Sequence, residues 1–243
     1  MGAVQYLGHA TVVVDLDGTQ LVTDPLLRRR VGHLLRAGPI ASLGELDGVL
    51  ISHAHHDHLD LPSIERLDPA IPVVVPRGLG RLLKHRDRVI EVDVGEEVEL
   101  DTLTVRATEA VHEGKRAGGR ASGPALGYEI RGSKRIYFAG DTDLFPGMEG
   151  LVADLDLALI PIWGWGPSLG RGLHLDPARA AEAVRLLNPR IAVPIHWGTY
   201  RPFLYGPRAR FLREPAEAFV RETEARAPDV EVRVLQPGEA LEL

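Results

Sequence analysis

The chain has 243 residues, enough for one large domain with a substantial buried core. Its 28 basic and 34 acidic residues give a net charge of −6, which argues weakly against wholesale binding to nucleic acid or to an anionic membrane and does not exclude a local basic pocket. The absence of cysteine excludes disulfides, iron–sulfur clusters, thiolate zinc sites and a cysteine nucleophile. Any bound metal must therefore be held by His, Asp or Glu.

The N-terminal residues lack the basic and apolar regions of a secretion signal. No apolar run approaches the ~20 residues that are needed to span a bilayer. We therefore expect a cytoplasmic protein without a membrane span. We also expect one domain that covers residues 1–243.

The first part of the chain has the pattern of β-strands. Residues 11–16 and 19–23 are rich in β-branched side chains and flank Asp17-Gly18, a hairpin turn signal. His9 and Asp24 stand beside these strands and are candidates to support metal ligands through hydrogen bonds. The Arg-, Leu- and Gly-rich stretch 26–45 is interpreted as a short helix or a loop with a solvated basic face.

The densest polar motif is the segment 52–60, which contains four of the ten histidines and two carboxylates. The apolar residues 49–51 predict a buried strand before it. Asp60 is a plausible N-cap and Pro62 fits a first turn, so a helix is predicted after it. Imidazole and carboxylate groups are the ligands of zinc and its neighbours in the first transition row.

The remaining elements follow from hydrophobic periodicity and turn residues. Strands are predicted at 71–76, 89–92, 103–107, 127–131, 135–139, 157–162, 191–195 and 230–234, the last closing the chain. Helices are predicted at 78–85, from the Asp176-Pro177 cap to Leu187, and near 215–226. The glycine-rich stretch 113–125 lacks the context of a nucleotide-binding loop.

Metal-capable side chains recur at strand ends. His53, His112, Asp141 and His196 each stand at or just past the end of an apolar strand. One such residue would be unremarkable, but four would converge if the strands belong to packed sheets. The pattern therefore predicts one metal site assembled from distant parts of the chain.

The segment His53-Ala54-His55-His56-Asp57-His58 fits the His-x-His-x-Asp-His motif, and the chain resembles the metallo-β-lactamase superfamily. Its Gly-His-Ala-Thr, Thr-Asp-Pro and His-Leu-Asp-Pro segments resemble a branch of that superfamily, as does Pro-Ile-His-Trp-Gly-Thr. The branch includes N-acyl-phosphatidylethanolamine phospholipase D-like and L-ascorbate-6-phosphate lactonase-like proteins. The resemblance covers nearly the whole chain.

The resemblance implies an α/β fold, a four-layer αββα sandwich in a single domain. It also implies two divalent metal ions, zinc first, with manganese or iron as alternatives. By similarity, one ion is held by His53, His55 and His112, and the other by Asp57, His58 and His196. Asp141 then bridges the two ions. His56 occupies a variable position of the motif and is not expected to bind metal.

The implied reaction is hydrolysis of a small ester, lactone or phosphodiester by a metal-bridging hydroxide. Asp57 is expected to orient this nucleophile as well as to bind metal. His174 is expected to face the substrate, binding the oxyanion or protonating the leaving group. The alternative for His174 is a loop cap. The expected partner is a small molecule, and anionic molecules are included; the oligomeric state is left open.

Further side chains flank these segments. Candidates to wall the pocket are Trp163, Trp165, Trp197 and Tyr200, with core packing as the alternative. Candidates to pair with a phosphate are Arg116, Arg120 and Arg201.

Two other classes of function stay open from the residues alone. One is a di-iron oxidoreductase, which would use a carboxylate-richer ligand set and an attached flavin domain. The other is a non-catalytic, metal-stabilised binding module. Metal analysis together with a hydrolysis screen distinguishes these two classes from the metal-dependent hydrolase.

Overall fold

The computed structural model describes residues 2–40, 42–114, 123–163 and 173–243. The strands in these ranges are β1 (Gly2–Gly8), β2 (Thr11–Leu16), β3 (Thr19–Thr23), β4 (Arg30–Val31), β5 (Leu34–Arg36), β6 (Gly48–Leu50), β7 (Val73–Pro76), β8 (Val89–Val92), β9 (Glu97–Leu100), β10 (Leu103–Glu109), β11 (Leu126–Arg131), β12 (Arg135–Phe138), β13 (Leu157–Pro161), β14 (Ile191–Ile195), β15 (Tyr200–Pro202), β16 (Glu231–Val232) and β17 (Ala240–Glu242). The helices are α1 (Leu61–Ile64), α2 (Pro177–Leu187) and α3 (Glu214–Arg226).

Most strands belong to two seven-stranded sheets of similar design. The first has the order β17-β1-β2-β3-β6-β7-β8 and the second β16-β14-β13-β12-β11-β10-β9. In the first sheet, neighbouring strands are antiparallel from β17 to β3 and parallel from β3 to β8. The second sheet is parallel from β16 to β12 and antiparallel from β12 to β9. Each sheet thus joins an antiparallel meander to a parallel set of strands.

The two sheets pack face to face around the largest hydrophobic cluster. Tyr6 and Leu50 enter it from the first sheet, and Tyr128, Leu159 and Val193 enter it from the second. A second cluster joins the outer face of the second sheet to α2 and α3, and a third joins the outer face of the first sheet to α1. The predicted fold class, an α/β sandwich of the αββα type, is confirmed.

Local signals explain why α2 begins and ends where it does. The Asp176 carboxylate accepts a hydrogen bond from the backbone N–H of Arg179 at 2.9 Å, and Pro177 opens the first turn. Asn188 ends the helix in the left-handed conformation, with φ of 48°. The predicted hairpin at Asp17-Gly18 is also present, with positive φ at both residues as a type I′ turn requires.

The predicted helix at 78–85 is wrong. Only one 3₁₀ turn forms there, at Gly80–Leu82. The backbone N–H groups of Gly78 and Gly80 donate to the Glu91 carboxylate at 3.1 and 2.8 Å, so a side chain from β8 takes donors that a longer helix would organise. The leucine spacing reflects burial of Leu79 and Leu83 beneath this turn.

The stretch 26–45, interpreted as a short helix or a loop, forms no helix among its described residues and is loop apart from two short strands. Residues in this stretch form β4 and β5, which pair with the distant β15 in a third, three-stranded sheet. Leu26, Val31 and Tyr200 are buried together beneath it. The pairing partner lies more than 160 residues away along the chain, so no local pattern indicates it.

The C-terminal strand is likewise shorter than predicted. Only Glu231–Val232 pair with β14, and the chain instead closes with β17 on the edge strand β1. Among the described residues, no helix is both long and apolar enough to cross a bilayer.

Candidate metal centre

The candidate site lies where four strands of the two sheets end. In the second sheet, β10, β12 and β14 run in the same direction, because β11 lies antiparallel between β10 and β12. Their carboxyl ends deliver residues 112, 141 and 196 to one edge. The first sheet brings β6 and the histidine segment to the same edge, where Tyr128 Oη donates to the Ile51 carbonyl at 2.7 Å. The structure thus brings together all seven predicted ligand residues.

The first group of side chains consists of His53, His55 and His112. Each offers a ring nitrogen, and these nitrogens lie within 4.8 Å of one another. The shortest separation, between His112 Nε2 and His55 Nδ1, is 3.1 Å. This is the set that the superfamily resemblance assigns to one ion.

The second group consists of Asp57, His58 and His196, joined by His9. His58 Nε2 and His196 Nε2 face each other at 3.3 Å, and His196 Nε2 is 3.9 Å from Asp57 Oδ2. Three of these four residues form the set that the resemblance assigns to the other ion.

Asp141 lies between the two groups. Its Oδ2 is 3.2 Å from His58 Nε2 and 4.0 Å from both His53 Nε2 and His112 Nε2. Its Oδ1 is 3.4 Å from His196 Nε2. One buried carboxylate therefore faces donors of both groups, which is the position a bridging ligand needs.

Hydrogen bonds on the outer side of the rings fix the direction in which the lone pairs point. His112 Nδ1 faces the Leu173 carbonyl at 2.7 Å, and His196 Nδ1 faces the Trp163 carbonyl at 2.7 Å. A carbonyl only accepts, so each Nδ1 must carry the hydrogen. The lone pairs of both Nε2 atoms consequently point into the cluster.

The same logic applies to the two histidines of the first sheet. His58 Nδ1 lies 2.6 Å from Asp24 Oδ2, an acceptor. Ser52 Oγ donates its one hydrogen to Asp24 Oδ2 at 2.6 Å, so it must accept from His53 Nδ1 at 2.9 Å. Four histidines therefore aim their Nε2 atoms at a common centre.

This arrangement fits divalent metal ions. Two imidazole nitrogens on one tetrahedral zinc lie about 3.3 Å apart, because each Zn–N bond is about 2.0–2.1 Å long. The separations of 3.1 Å and 3.3 Å in the two groups are close to that value. Among the described residues, His53 Nε2 and Asp141 Oδ1 are buried atoms with no hydrogen-bond partner, as expected of metal ligands.

The electrostatics of the cluster favour positive charge at its centre. Burial raises the pKa of Asp141, but His196 and His58 outweigh it and hold that pKa well below its ordinary value. Burial lowers the pKa of His58, but Asp141 and Asp24 outweigh it and hold that pKa well above its ordinary value. Burial and the neighbouring His58 lower the pKa of His53. The buried Asp141 carboxylate thus stays ionised, and the positive charge that it favours is carried by a proton on His58 or by a metal cation that replaces it.

His9 supports this centre from the first sheet. Its Nε2 is 3.0 Å from Asp57 Oδ2, and its carbonyl accepts the backbone N–H of His196 at 2.7 Å. Both histidines have φ of 60°, a conformation that non-glycine residues seldom adopt. Burial and the neighbouring His196 lower the pKa of His9 to about 3. Neutral His9 therefore donates to Asp57 and orients it.

His174 lies at the open side of the cluster. Its Nδ1 is 3.4 Å from Asp141 Oδ2, its ring packs against that of His112, and its side chain is 18% exposed. Burial lowers its pKa to about 4. His56, by contrast, is exposed and belongs to neither group of donors. His174 is therefore the histidine placed to meet a substrate.

The residues predicted to wall the pocket or to pair with a phosphate lie in different parts of the structure. Trp197 and Tyr200 are buried, and both line a small cleft beside His9 and His196, together with Trp163. Arg201 donates to the Tyr205 carbonyl at the surface. Arg116, Arg120 and Trp165 lie outside the described residues. Asp60 caps α1 and forms an ion pair with Arg28 at 2.6 Å.

Asp24, which the sequence offered as a supporting group, faces His58, but sequence reasoning missed the other groups that orient the histidines. The carbonyls of Trp163 and Leu173 and the hydroxyl of Ser52 carry no motif of their own. Backbone carbonyls occur at every residue, so only the tertiary structure shows which ones receive a histidine N–H. The position of Ser52 immediately before the histidine motif was the one sequence signal that could have identified such a group.

Comparison with known proteins agrees with this description. A family model described as a β-lactamase superfamily domain matches residues 19–197. A metal-dependent hydrolase, MK1542 of Methanopyrus kandleri, is 31% identical over 98% of this chain and 99% of its own length. The metallo hydrolase Igni18 of Ignicoccus hospitalis has 25% identity and a TM-score of 0.72, and the match covers 100% of this chain and 99% of that one.

A further relative is longer than this chain. N-acyl-phosphatidylethanolamine-hydrolyzing phospholipase D 1 of Caenorhabditis elegans is 34% identical over 80% of the chain, and the match spans 63% of that relative. In sequence and fold, the protein described here is similar to metal-dependent hydrolases. It belongs to the metallo-β-lactamase superfamily.

Proposed function

We propose that the cluster holds two divalent ions and that the protein hydrolyses a small ester, lactone or phosphodiester. The observation that carries this proposal is the convergence of four histidine Nε2 atoms whose opposite ring nitrogens are all engaged. Ring nitrogens that face one another repel unless a proton or a metal cation lies between them. The buried Asp141 supplies the negative charge that such cations need.

The two groups of donors support a division of ligands. We assign His53, His55 and His112 to one ion, and Asp57, His58 and His196 to the other. Asp141 is shared between the two ions. Zinc suits this nitrogen-rich set best, and manganese or iron can occupy the same ligands.

When bound, two such ions lower the pKa of a water molecule and polarise the oxygen of the bond to be cleaved. Burial raises the pKa of Asp57, but His58, His9 and His196 hold it well below its ordinary value, so the carboxylate accepts hydrogen bonds. Its side chain is 22% exposed and accepts from His9, which leaves it able to orient the attacking water. Asp57 therefore acts both as ligand and as positioning group.

His174 is assigned to the developing negative charge on the substrate. A pKa of about 4 keeps its imidazole neutral at pH 7, so it has one N–H to donate but is a poor proton source. Of the two roles expected from the sequence, oxyanion binding is therefore favoured over protonation of the leaving group. Small substrates, including anionic ones, fit this arrangement.

Two aspects of the protein's organisation belong to the same proposal. Residues 1–243 act as one domain, because ligands from both sheets complete a single centre. The substrate set includes phosphodiesters, because the Caenorhabditis elegans relative is named for hydrolysing a phospholipid.

Metal analysis combined with a hydrolysis screen tests the proposal. Purified wild-type protein should contain two metal ions per chain, and His58→Ala about one. The screen uses aryl phosphodiesters, lactones and thioesters, and wild-type turnover on at least one class should fall at least 100-fold in His58→Ala. Exposed His85, substituted by alanine, is the matched control and should match wild type in both readouts.

Three outcomes would contradict the proposal. One metal ion per chain in an active wild-type protein would remove the binuclear centre. Bound metal without turnover on any substrate would favour a binding module. Iron that supports oxygen-dependent turnover without hydrolysis would favour an oxidoreductase.

A further inference from the structure

Three consecutive apolar side chains protrude from the surface just after β15. Phe203, Leu204 and Tyr205 are 56%, 81% and 54% exposed. In the part of the chain that the structure describes, only Val94 and Val111 are comparable large exposed apolar residues, and neither adjoins another. Single exposed apolar residues are ordinary, whereas a run of three on one loop suggests a contact surface.

The loop is anchored to the small third sheet. Phe203 N–H donates to the His33 carbonyl at 3.1 Å, Arg201 donates to the Tyr205 carbonyl, and the Tyr205 ring packs edge-on against Phe211 at 5.4 Å. Phe211 in turn lines the cleft that contains His9 and His196. The apolar loop is thus a fixed feature next to the metal centre.

The chain segments that surround this loop are basic. The two stretches that build the third sheet and its flanks, 25–44 and 197–213, contain eight arginines and no acidic residue. The remainder of the chain carries 20 basic and 34 acidic residues, a net charge of −14. Positive charge is therefore concentrated on the face that carries the apolar loop.

Several of these arginines have no acidic partner. Arg29, Arg30, Arg208 and Arg213 are exposed, and none forms an ion pair with a described residue. Arg210 pairs with Glu214, and Arg28 with Asp60. The unpaired guanidinium groups can bind an anionic surface without first breaking internal ion pairs.

We propose that this face, named here the arginine–aromatic face and consisting of residues 28–36 and 201–213, docks on an anionic lipid bilayer. The apolar side chains at 203–205 would insert below the headgroups while the arginines pair with lipid phosphates. Aromatic side chains such as Tyr205 favour this boundary. Docking would bring the cleft beside His196 close to the lipid.

Charge and size favour a bilayer over other partners. A polyanion such as nucleic acid explains the arginines but not three protruding apolar side chains. A stable protein interface buries about 800 Å² per partner, more than three side chains supply. A bilayer accounts for both features, because the free energies of apolar insertion and of attraction to anionic headgroups add together. This inference goes beyond the proposed reaction and does not depend on it.

Vesicle flotation tests the proposal with the full-length protein. Wild type should bind vesicles of phosphatidylcholine with 30 mol% phosphatidylglycerol, a composition chosen as the probe, and should bind pure phosphatidylcholine at least ten-fold less. The double variant Phe203→Ser, Leu204→Ser should lose about ten-fold in partition coefficient. Val94→Ser, an equally exposed apolar residue elsewhere, is its matched control and should bind as wild type.

A second pair of variants tests the electrostatic contribution to membrane binding. Arg208→Glu should weaken binding at least five-fold, since each basic residue near an anionic membrane contributes about that factor. Arg190→Glu makes the same charge change on an exposed residue before β14, at the opposite edge of the second sheet, and should have little effect. Raising the salt concentration to 0.5 M should weaken wild-type binding. Thermal melts confirm that each variant is folded.

Three results would overturn the proposal. The first is failure of wild type to bind the anionic vesicles. The second is equal binding by wild type and the Phe203, Leu204 variant. The third is a concentration-dependent dimer in sedimentation velocity that Leu204→Ser abolishes, without vesicle binding, which would assign the face to a second copy of the chain. Hydrolytic activity is not a readout of these experiments. Failure of the proposed reaction is therefore distinguishable from failure of membrane docking.

Discussion

His58 and Asp24 are joined by a fully buried hydrogen bond, from Nδ1 to Oδ2 over 2.6 Å. Asp24 also accepts from the backbone N–H of Ser52 at 2.7 Å and from its hydroxyl at 2.6 Å. One carboxylate at the end of β3 thus fixes His58 directly and His53 through Ser52. Since these histidines are assigned to different ions, Asp24 orients ligands of both.

Asp24→Asn should therefore weaken metal binding without removing a ligand. Loss of a hydrogen-bond partner behind a metal ligand commonly lowers affinity 10–100-fold. Competition with a chromogenic chelator measures this affinity. The matched control is Asp156→Asn, which changes a carboxylate bound to Lys134 away from the centre and should leave affinity unchanged. Equal affinity in Asp24→Asn and wild type would contradict the role given to Asp24.

Removal of metal should lower the thermal stability of the wild-type protein. Bound ions stabilise the folded state by about 4 kcal/mol when their free concentration is 1,000 times Kd, which is on the order of 10 °C in Tm for a chain of this size. Chelation followed by dialysis should lower Tm, and added zinc should restore it. His58→Ala, which has lost one donor of the cluster, should respond less. A Tm that chelation leaves unchanged would argue against metal in the buried cluster.

His174→Ala should separate catalysis from metal binding. Its ring is assigned to the substrate, so both metals should remain while kcat falls about 100- to 1,000-fold, the usual effect of losing one oxyanion donor. His85→Ala, on the surface, should retain full kcat. If His174→Ala kept both metals and full turnover, His174 would instead be a structural residue of its loop.

The protein should lose stability at alkaline pH through Tyr6. Burial raises the pKa of Tyr6 to about 12, and its hydroxyl donates to the Trp197 carbonyl at 3.0 Å. The unfolded chain releases this proton near pH 10, so the free energy of unfolding should fall by about 3 kcal/mol between pH 10 and 12. Below pH 10 this group should cause no pH dependence.

Urea unfolding of Tyr6→Phe checks this prediction. The variant should be less stable by about 1 kcal/mol at pH 8, because it loses one hydrogen bond. It should also show a shallower decline of stability between pH 10 and 12 than wild type. Parallel declines in the two proteins would assign the alkaline loss to other groups, such as Tyr128, whose pKa burial also raises.

The strands that carry the site could be predicted from local sequence patterns. Alternation of apolar residues predicted the strand ends before the histidine segment and before residues 112, 141 and 196. β6, β12 and β14 are buried along almost their whole length and are therefore rich in apolar residues, whereas burial in β10 largely alternates. Caps such as Asp60 and Asp176 were equally visible, since N-cap hydrogen bonds span three residues.

The third sheet could not be predicted in the same way. Its strands are two or three residues long, and β15 meets β5 only after more than 160 intervening residues. Arginines in these strands read as a solvated basic face. The protruding apolar loop beside them became apparent only when the exposure of Phe203, Leu204 and Tyr205 was known.

By itself, the sequence determined the kinds of donor available, because without cysteine a metal must be held by histidine and carboxylate. It also determined that the donors follow strand ends, because hydrophobic periodicity is a local property. Only the tertiary structure decided how these donors face one another and which carbonyl, hydroxyl or carboxylate fixes each ring. Those contacts join residues as far apart as His9 and His196, and their geometry depends on how two sheets pack.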